Sequence, residues 1–339
     1  MKNDLARHLP SPSACPPRKS HGKPLELPAK VNLADELLRP AMESGHAESP
    51  ALYYGDEVLS FRELDERASR VAGGLRRLGV DSGDRVMLRF PNGPELVVSW
   101  LAIQKLGAVV VATMPLLRAR ELQYIANDAE ARLLLVSSDL LEEVRKARQG
   151  FTTIEKLIVS GETPPDAVAF GEVASGPPLD SVEIGRDDPS ILAYTSGSTG
   201  VPKGCVHFPS DVLASAESYA KEILAPEPGD VFTGHPPLAF TFGLGGLLVF
   251  PFRFGAATCL IGRFTPEGML ETISRYHATV AFCSPTSYKR MLQVEEAPRR
   301  FDLKSLRFPV SAGETLPAAT FDQWRDPFGP EILDGIGST

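Results

Sequence analysis

The sequence predicts an α/β protein with two sheet-containing subdomains, each a largely parallel sheet covered by helices. Three observations predict it. Strand-like and helix-like runs alternate from Ser60 to Val136, the alternation restarts after Asp187, and a glycine- and hydroxyl-rich loop is clamped between two apolar runs within 191–208. Alternation of this kind lays strands side by side and puts helices on their faces.

Each element has a local reason. Ser60-Phe61-Arg62-Glu63 is a capping-box pattern, after which Leu64, Ala68, Val71, Leu75 and Leu78 recur every three or four residues until Gly79 stops the helix. A strand over 85–90, a helix over 95–106, an apolar strand over 108–112, a helix over 119–127 and a strand over 132–136 follow. The polar, proline-rich residues 161–188 read as the connection to the second unit. There, strands are expected over 191–194, 205–208, 256–261, 279–283 and 306–310, with helices over 211–224, 266–276 and 317–325. The expected division is a loose leader over 1–30, a first subdomain over 31–180 and a second over 187–339.

A chain of 339 residues is long enough for two or three core-bearing units. Its 43% hydrophobic and 23% charged content is ordinary for a globular protein, and its net charge of −8 argues against a general nucleic-acid surface. Cys15, Cys205, Cys259 and Cys283 form no CxxC pair and read as free thiols in a reducing cytosol, so no residue is assigned as a metal ligand. Gln104 and Lys105 interrupt the apolar stretch 97–117, and Pro251 and Arg253 interrupt 244–261, so both read as buried core rather than membrane spans. Residues 1–24 lack the apolar run of a signal peptide, and a cytoplasmic location is expected.

The chemistry concentrates in Thr195-Ser196-Gly197-Ser198-Thr199-Gly200 and the following Lys203. Glycines let backbone N–H groups turn inward, the hydroxyls add donors, and the lysine adds a positive charge, which together make a nest for polyphosphate oxygens. A flexible Ser/Gly linker is the other reading of such composition, but the flanking apolar runs disfavour it. Lys203 lies between Pro202 and Gly204 and opens no helix, so the loop is not a Walker A motif. Gly-Ser-Thr-Gly is not a nucleophile elbow either. His207 and His235 have no partner at metal-ligand or triad spacing and read as structural.

This loop resembles the phosphate-binding motif of the adenylate-forming superfamily, which comprises acyl- and aryl-CoA ligases, peptide-synthetase adenylation domains and luciferases. Pro236-Pro237-Leu238-Ala239-Phe240-Thr241-Phe242-Gly243 resembles its acyl-pocket motif, Ser311-Ala312-Gly313-Glu314 its adenine-side segment, and Asp334-Gly335-Ile336-Gly337-Ser338-Thr339 the start of its next motif. The resemblance runs from about Asn32 to Thr339. It implies that Thr195, Ser196, Ser198 and Thr199, with the amides of Gly197 and Gly200, hold the β- and γ-phosphates of ATP. Lys203 is then the catalytic cation that neutralises departing pyrophosphate, and Thr339 bonds the α-phosphate. Gly313, Glu314, Asp334, Gly335 and Ile336 fall on the nucleotide side. Phe240, Thr241, Phe242 and Gly243 fall in the substrate pocket, opposite Ala312.

Two plainer readings stand beside these. Gly313-Glu314 also suits a turn into the helix after Pro317, and Phe240 and Phe242 also suit an ordinary buried strand. The sequence departs from the family at Ile336, where an aromatic residue often stands, and at Pro209, where many relatives carry histidine. No acid occurs between Pro236 and Gly246, which argues against the amino-acid-activating branch. The wording Gly-Cys-Val-His-Phe and Pro-Leu-Ala-Phe-Thr-Phe-Gly-Leu-Gly-Gly is most similar to benzoate- and 2-aminobenzoate-CoA ligases.

The resemblance implies ATP, Mg²⁺ and coenzyme A as co-substrates and a small-molecule carboxylate as partner. It leaves a homodimer open and implies neither nucleic acid nor membrane. The family's β-barrel portion, hinge, C-terminal domain, magnesium-binding glutamate, ribose-binding aspartate and adenylation lysine come after the position of Thr339. The expectation is therefore an N-terminal part that does not complete the reaction alone and exposes apolar surface. A non-catalytic nucleotide- or carboxylate-binding remnant is the alternative, and a peptide-synthetase module a weaker one.

Overall fold

The structure, a computed structural model, describes residues 9, 11, 25–195 and 200–339. Among them, two seven-stranded sheets carry the fold. The first runs in the order Lys203–His207, Ile191–Thr195, Val109–Ala112, Arg85–Arg89, Leu133–Ser137, Lys156–Ser160 and Val168–Ala169, parallel except for the first pair. The second runs Leu333–Asp334, Phe308–Ser311, Val280–Cys283, Val231–Gly234, Ala257–Leu260, Pro50–Tyr54 and Glu57–Ser60, parallel except for the last pair.

Strand membership crosses the boundary expected between 180 and 187. The hairpin Ile191–His207 belongs to the first sheet, and the hairpin Pro50–Ser60 to the second. The reason is pairing. Ile191 aligns with Val110, and Leu52 and Tyr53 align with Thr258 and Cys259, contacts that no short-range pattern records. The stretch read as a bare connection also carries structure, with edge strand Val168–Ala169, helix Phe170–Ala174 and strand Ile184–Gly185. Nor is the leader loose up to residue 30. Leu25 and Leu27 pack on the core, Arg186 donates to the Leu27 carbonyl at 2.6 Å, and Lys30–Val31 pairs with Ile184–Gly185.

Helix Phe61–Arg77 has the capping box expected of it. Ser60 Oγ accepts from the Glu63 amide at 3.2 Å, and the Glu63 carboxylate accepts from the Ser60 amide at 2.9 Å. Helix Pro94–Lys105 is buried at every position except Glu95, which explains its unbroken apolar face, and its Trp100 is 1% exposed. Asn32 caps helix Leu33–Glu43 through Oδ1, while its Nδ2 donates to the carbonyls of Gln104 and Val182, each at 2.8 Å. Strand Arg85–Arg89 buries two arginines by giving their guanidiniums acceptors. Arg85 reaches the Ala129 carbonyl and Glu130, and Arg89 reaches the carbonyls of Met114, Pro115 and Leu117.

The second helical stretch begins as α-helix Pro209–Ser215 and widens into π-helical turns over Ala216–Leu224. Pro209, which stands where relatives carry histidine, occupies the first turn of that helix, where no backbone N–H is needed. Among the described residues no helix is long and apolar enough to cross a membrane.

Candidate active site

Two edges of the fold supply the site. On the first sheet, Thr195 lies opposite Lys203 and Tyr194 opposite Gly204 across the antiparallel hairpin, so the ends of the hydroxyl-rich loop are tied together by strand pairing. Lys203 is the first residue of its strand rather than a loop residue, and it is exposed. Gly200 has φ +78°, a left-handed conformation that suits glycine. Tyr194 donates its phenol proton to Asp128 Oδ2 at 2.6 Å and docks the hairpin on helix Ala119–Asp128. Burial and the Asp128 carboxylate raise the Tyr194 pKa, so it stays a neutral donor. Ser196, Gly197, Ser198 and Thr199 lie outside the described residues.

On the second sheet the site forms beyond the carboxyl ends of the parallel strands, the usual ligand position in open α/β sheets. A cavity of about 300 Å³ is walled by the aromatic side chains of Tyr219, Phe240, Phe242, Phe250 and Phe282 and by the segments 310–313 and 335–338. No charged side chain lines it among the described residues. A second cavity of about 240 Å³ shares Ser215, Phe240, Thr241, Gly245, Phe250 and Ser338 and extends toward Ala112 and His207 of the other sheet and Trp100 of helix Pro94–Lys105. Phe240 is 40% exposed and stands between the two.

Phe240 and Phe242 do not lie on a strand. Phe240 is the N-cap of helix Thr241–Leu244, which widens into π-helical turns over Gly245–Val249. Both π-helical segments border the cavities, where such widened turns recur in proteins. The approach to this helix is clamped by Asn92, whose Nδ2 donates to the Pro236 carbonyl and whose Oδ1 accepts from the Leu238 amide, both at 2.9 Å. Asn92 is buried and follows the first-sheet strand Arg85–Arg89, so one side chain joins the two sheets at the pocket.

The structure gathers some of the predicted residues and separates others. Phe240, Thr241, Phe242, Ala312, Gly313, Gly335 and Ile336 share the larger cavity, and Thr339 Oγ1 lies 3.3 Å from Thr241 Oγ1. Ile336 is fully exposed, so it offers apolar surface at the rim rather than packing inside. Gly243 is a correction: it lies on neither cavity wall and packs against the Pro236 and Pro237 carbonyls. Glu314 turns away as well, accepting from Thr286 Oγ1 at 3.0 Å. Asp334 is exposed and pairs with Ser311 in the sheet. Tyr219, Phe250, Phe282 and Asn92 were not singled out in the sequence, and Ser311 was named there only as the first residue of the adenine-side segment. Nothing local in the sequence marked Tyr219, Phe250, Phe282 or Asn92.

His235 is structural. Its Nε2 lies 2.7 Å from Ser287 Oγ and accepts from the Ser284 amide at 3.3 Å, and its ring packs on Phe264 at 4.6 Å. Burial lowers its pKa from the ordinary 6.5, and the Arg290 charge adds to the effect. A depressed folded pKa gives stability that is complete above the unfolded value and lost as pH falls toward the folded one. Melting temperature is therefore expected to decline as pH falls below about 6.5, with a shallower decline in His235→Gln. Scanning calorimetry between about pH 7.5 and about pH 5 checks it.

A family model described as "AMP-binding enzyme" matches residues 41–339. The chain belongs to the AMP-binding enzyme family. As a member of that family it is 34% identical over 318 residues to the benzoate–CoA ligase of Thauera aromatica, covering 93% of this chain and 60% of that protein. A 3-hydroxybenzoate–CoA/4-hydroxybenzoate–CoA ligase of the same organism is 32% identical, with 91% and 60% covered. Among solved structures, the anthranilate CoA ligase AuaEII in complex with anthranoyl-AMP superposes with a TM-score of 0.88 at 34% identity, covering 92% of this chain and 61% of that one. The chain spans about 60% of the length of the curated relatives it matches.

Proposed function

We propose that this chain is the nucleotide- and carboxylate-binding part of an ATP-dependent aromatic-acid–CoA ligase. The complete enzyme would activate a benzoate-type acid as its acyl adenylate, releasing pyrophosphate, and then transfer the acyl group to the CoA thiol. The observation that carries this reading is the uncharged, aromatic-walled cavity of about 300 Å³ at the strand ends. Ring faces and edges favour a flat aromatic guest, and a cavity of roughly 150 Å³ already holds benzene. The similarity to benzoate, hydroxybenzoate and anthranilate ligases supports the same class.

In this reading both reactants are anions, and catalysis consists of positioning them and stabilising charge on phosphoryl oxygens. Lys203 offsets the charge of the leaving pyrophosphate, and Thr195 and Gly200 bound the phosphate loop. The Thr241–Thr339 pair stands at the cavity, where carboxylate and α-phosphate would meet. The nucleotide is proposed to bring Mg²⁺ on its phosphates, since that ion commonly takes one or two carboxylates and completes its shell with phosphate and water. A cytoplasmic location, where ATP and CoA are available, belongs to the same proposal.

Calorimetric titration with ATP–Mg²⁺, then with benzoate, tests it. Saturable binding of both, with the acid binding more tightly when the nucleotide is present, is the expected result. A folded sample that binds amino acids but no aryl carboxylate would move the chain to the amino-acid-activating branch.

A further inference from the structure

Two helical stretches beside the larger cavity leave the α-helix in the same way. Ala216–Leu224 and Gly245–Val249 form π-helical turns, a rare conformation that mostly occurs as single turns. The first is nine residues long and stays wide to its end, where the Ala225 amide donates to the Ala220 carbonyl at 2.8 Å. It closes on Ala225 at φ +42°, a left-handed conformation that is unfavourable for alanine. Backbone of this kind persists where surrounding contacts hold it in place. One side chain outside the cavity supplies such contacts. Arg253 ends helix Phe250–Arg253, which continues directly from the second π-helical stretch. Its Nε and Nη2 donate to Glu217 Oε1 at 3.0 and 2.8 Å, while Nη1 donates to the Glu36 carbonyl at 2.9 Å and to Glu36 Oε2 at 3.0 Å. All three side chains are mostly buried, so the pairing is little screened by water. Glu217 lies two positions before Tyr219, and Arg253 three after Phe250. The rings of Tyr219 and Phe250 pack at 5.9 Å, and both residues line the larger cavity.

We propose that Arg253 and Glu217 are positioning residues: their bond holds the widened turns of 216–224 in register and so keeps Tyr219 on the cavity wall. Neither they nor Glu36 line either cavity, so they act through the helices alone. The effect on binding rests on the aromatic-acid reading above, whereas the effect on helix register does not. Without the bond the widened turns tighten to α-helix. A register change of one residue rotates the side chains beyond it by about 100°, because an α-helix completes a turn in 3.6 residues. That rotation carries Tyr219 off Phe250 and opens the wall. Arginine suits the task because its planar fork grips Glu217 with two N–H groups while a third nitrogen reaches Glu36, a geometry lysine lacks.

The test titrates the native chain, Arg253→Met, Arg253→Lys and Glu217→Met with ATP–Mg²⁺ and then, at saturating ATP–Mg²⁺, with benzoate, below the melting range of each. Removing Arg253 strands no carboxylate, since Glu36 keeps Arg39 at 2.6 Å and Glu217 keeps Lys221 at 2.8 Å. Arg253→Met and Glu217→Met are expected to weaken benzoate binding by roughly tenfold or more while ATP–Mg²⁺ binding stays within about twofold. Arg253→Lys should fall between them and the native chain. A pair that only stabilised the fold would lower the melting temperature and leave the ratio of the two affinities alone. A double-mutant cycle locates the effect: once Tyr219→Ala is present, Glu217→Met should weaken benzoate by no more than about twofold further. Unchanged benzoate affinity in folded variants, equal losses for ATP and benzoate, or full additivity in the cycle overturns the proposal. Crystal structures of Arg253→Met and Glu217→Met read the register directly, and widened turns with Tyr219 still against Phe250 overturn it as well. If the native chain binds ATP but no aryl carboxylate, the aromatic-acid reading falls by itself and the register in those structures decides the proposal. Should Arg253→Met not fold, Glu217→Met carries both measurements.

Discussion

Lys203→Ala is expected to weaken ATP–Mg²⁺ binding by roughly 10- to 100-fold while leaving the melting temperature unchanged. A hydrogen bond to a charged group contributes about 1.5–3 kcal/mol, and each 1.4 kcal/mol is tenfold in affinity. The structure gives no fold-stabilising role to set against this. Lys203 is exposed, begins an edge strand, and forms no ion pair among those described. Its backbone holds its place through pairing with Thr195, and that pairing is independent of the side chain. An exposed turn lysine with no ligand would change nothing beyond about 0.5 kcal/mol, so the two readings differ by more than the error of a titration. In the complete ligase the loss should be larger in the rate of pyrophosphate release than in affinity, because charge accumulates on the leaving group. Lys203→Arg restores charge without the compact ammonium and is expected to recover only part.

Gly243→Ala is expected to destabilise the protein by about 3 kcal/mol or more and to abolish aryl-acid binding, because the added methyl has no space. An ideal Cβ on Gly243 would sit 2.2 Å from the Pro237 carbonyl oxygen and 2.6 Å from that of Pro236. These are backbone atoms, so no rotamer change relieves the clash. The Pro236 carbonyl is already held by Asn92, and moving it drags the start of the helix that carries Phe240 and Thr241. Denaturant midpoints give the stability change, and titration with benzoate gives the binding change. Gly171→Ala is the control. Gly171 is exposed, has nothing within 4 Å of its ideal Cβ, and should be neutral or slightly stabilising.

Gly243 also shows how far a motif carries. Its place in the acyl-pocket pattern assigned it to the pocket, yet the structure uses it to let a helix approach two proline carbonyls, and the cavity wall passes to Tyr219, Phe250 and Phe282. Phe240 and Phe242 read as readily as strand residues, because a two-residue spacing of aromatics over so short a run does not separate a strand from one helical turn. Glu314 likewise sits next to a cavity residue, Gly313, but spends its carboxylate on Thr286.

By itself the sequence determined what depends on neighbours in the chain. The capping box at Ser60, the periodic face of the helix after it, the apolar strands of the first sheet, and the left-handed Gly200 all follow from contacts a few residues long. Their physics is helix capping, side-chain period and glycine backbone freedom. The tertiary structure decided which strands share a sheet and which side chains share a cavity. Parallel strands pair across long crossovers, so Ile191 finds Val110 and Leu52 finds Thr258 without any local trace. The cavity inherits that non-locality: Phe282, Ser311 and Gly335 meet because parallel strands end at one level, Tyr219 joins them from the helical stretch 216–224, and Asn92 reaches Pro236 across 144 positions of chain.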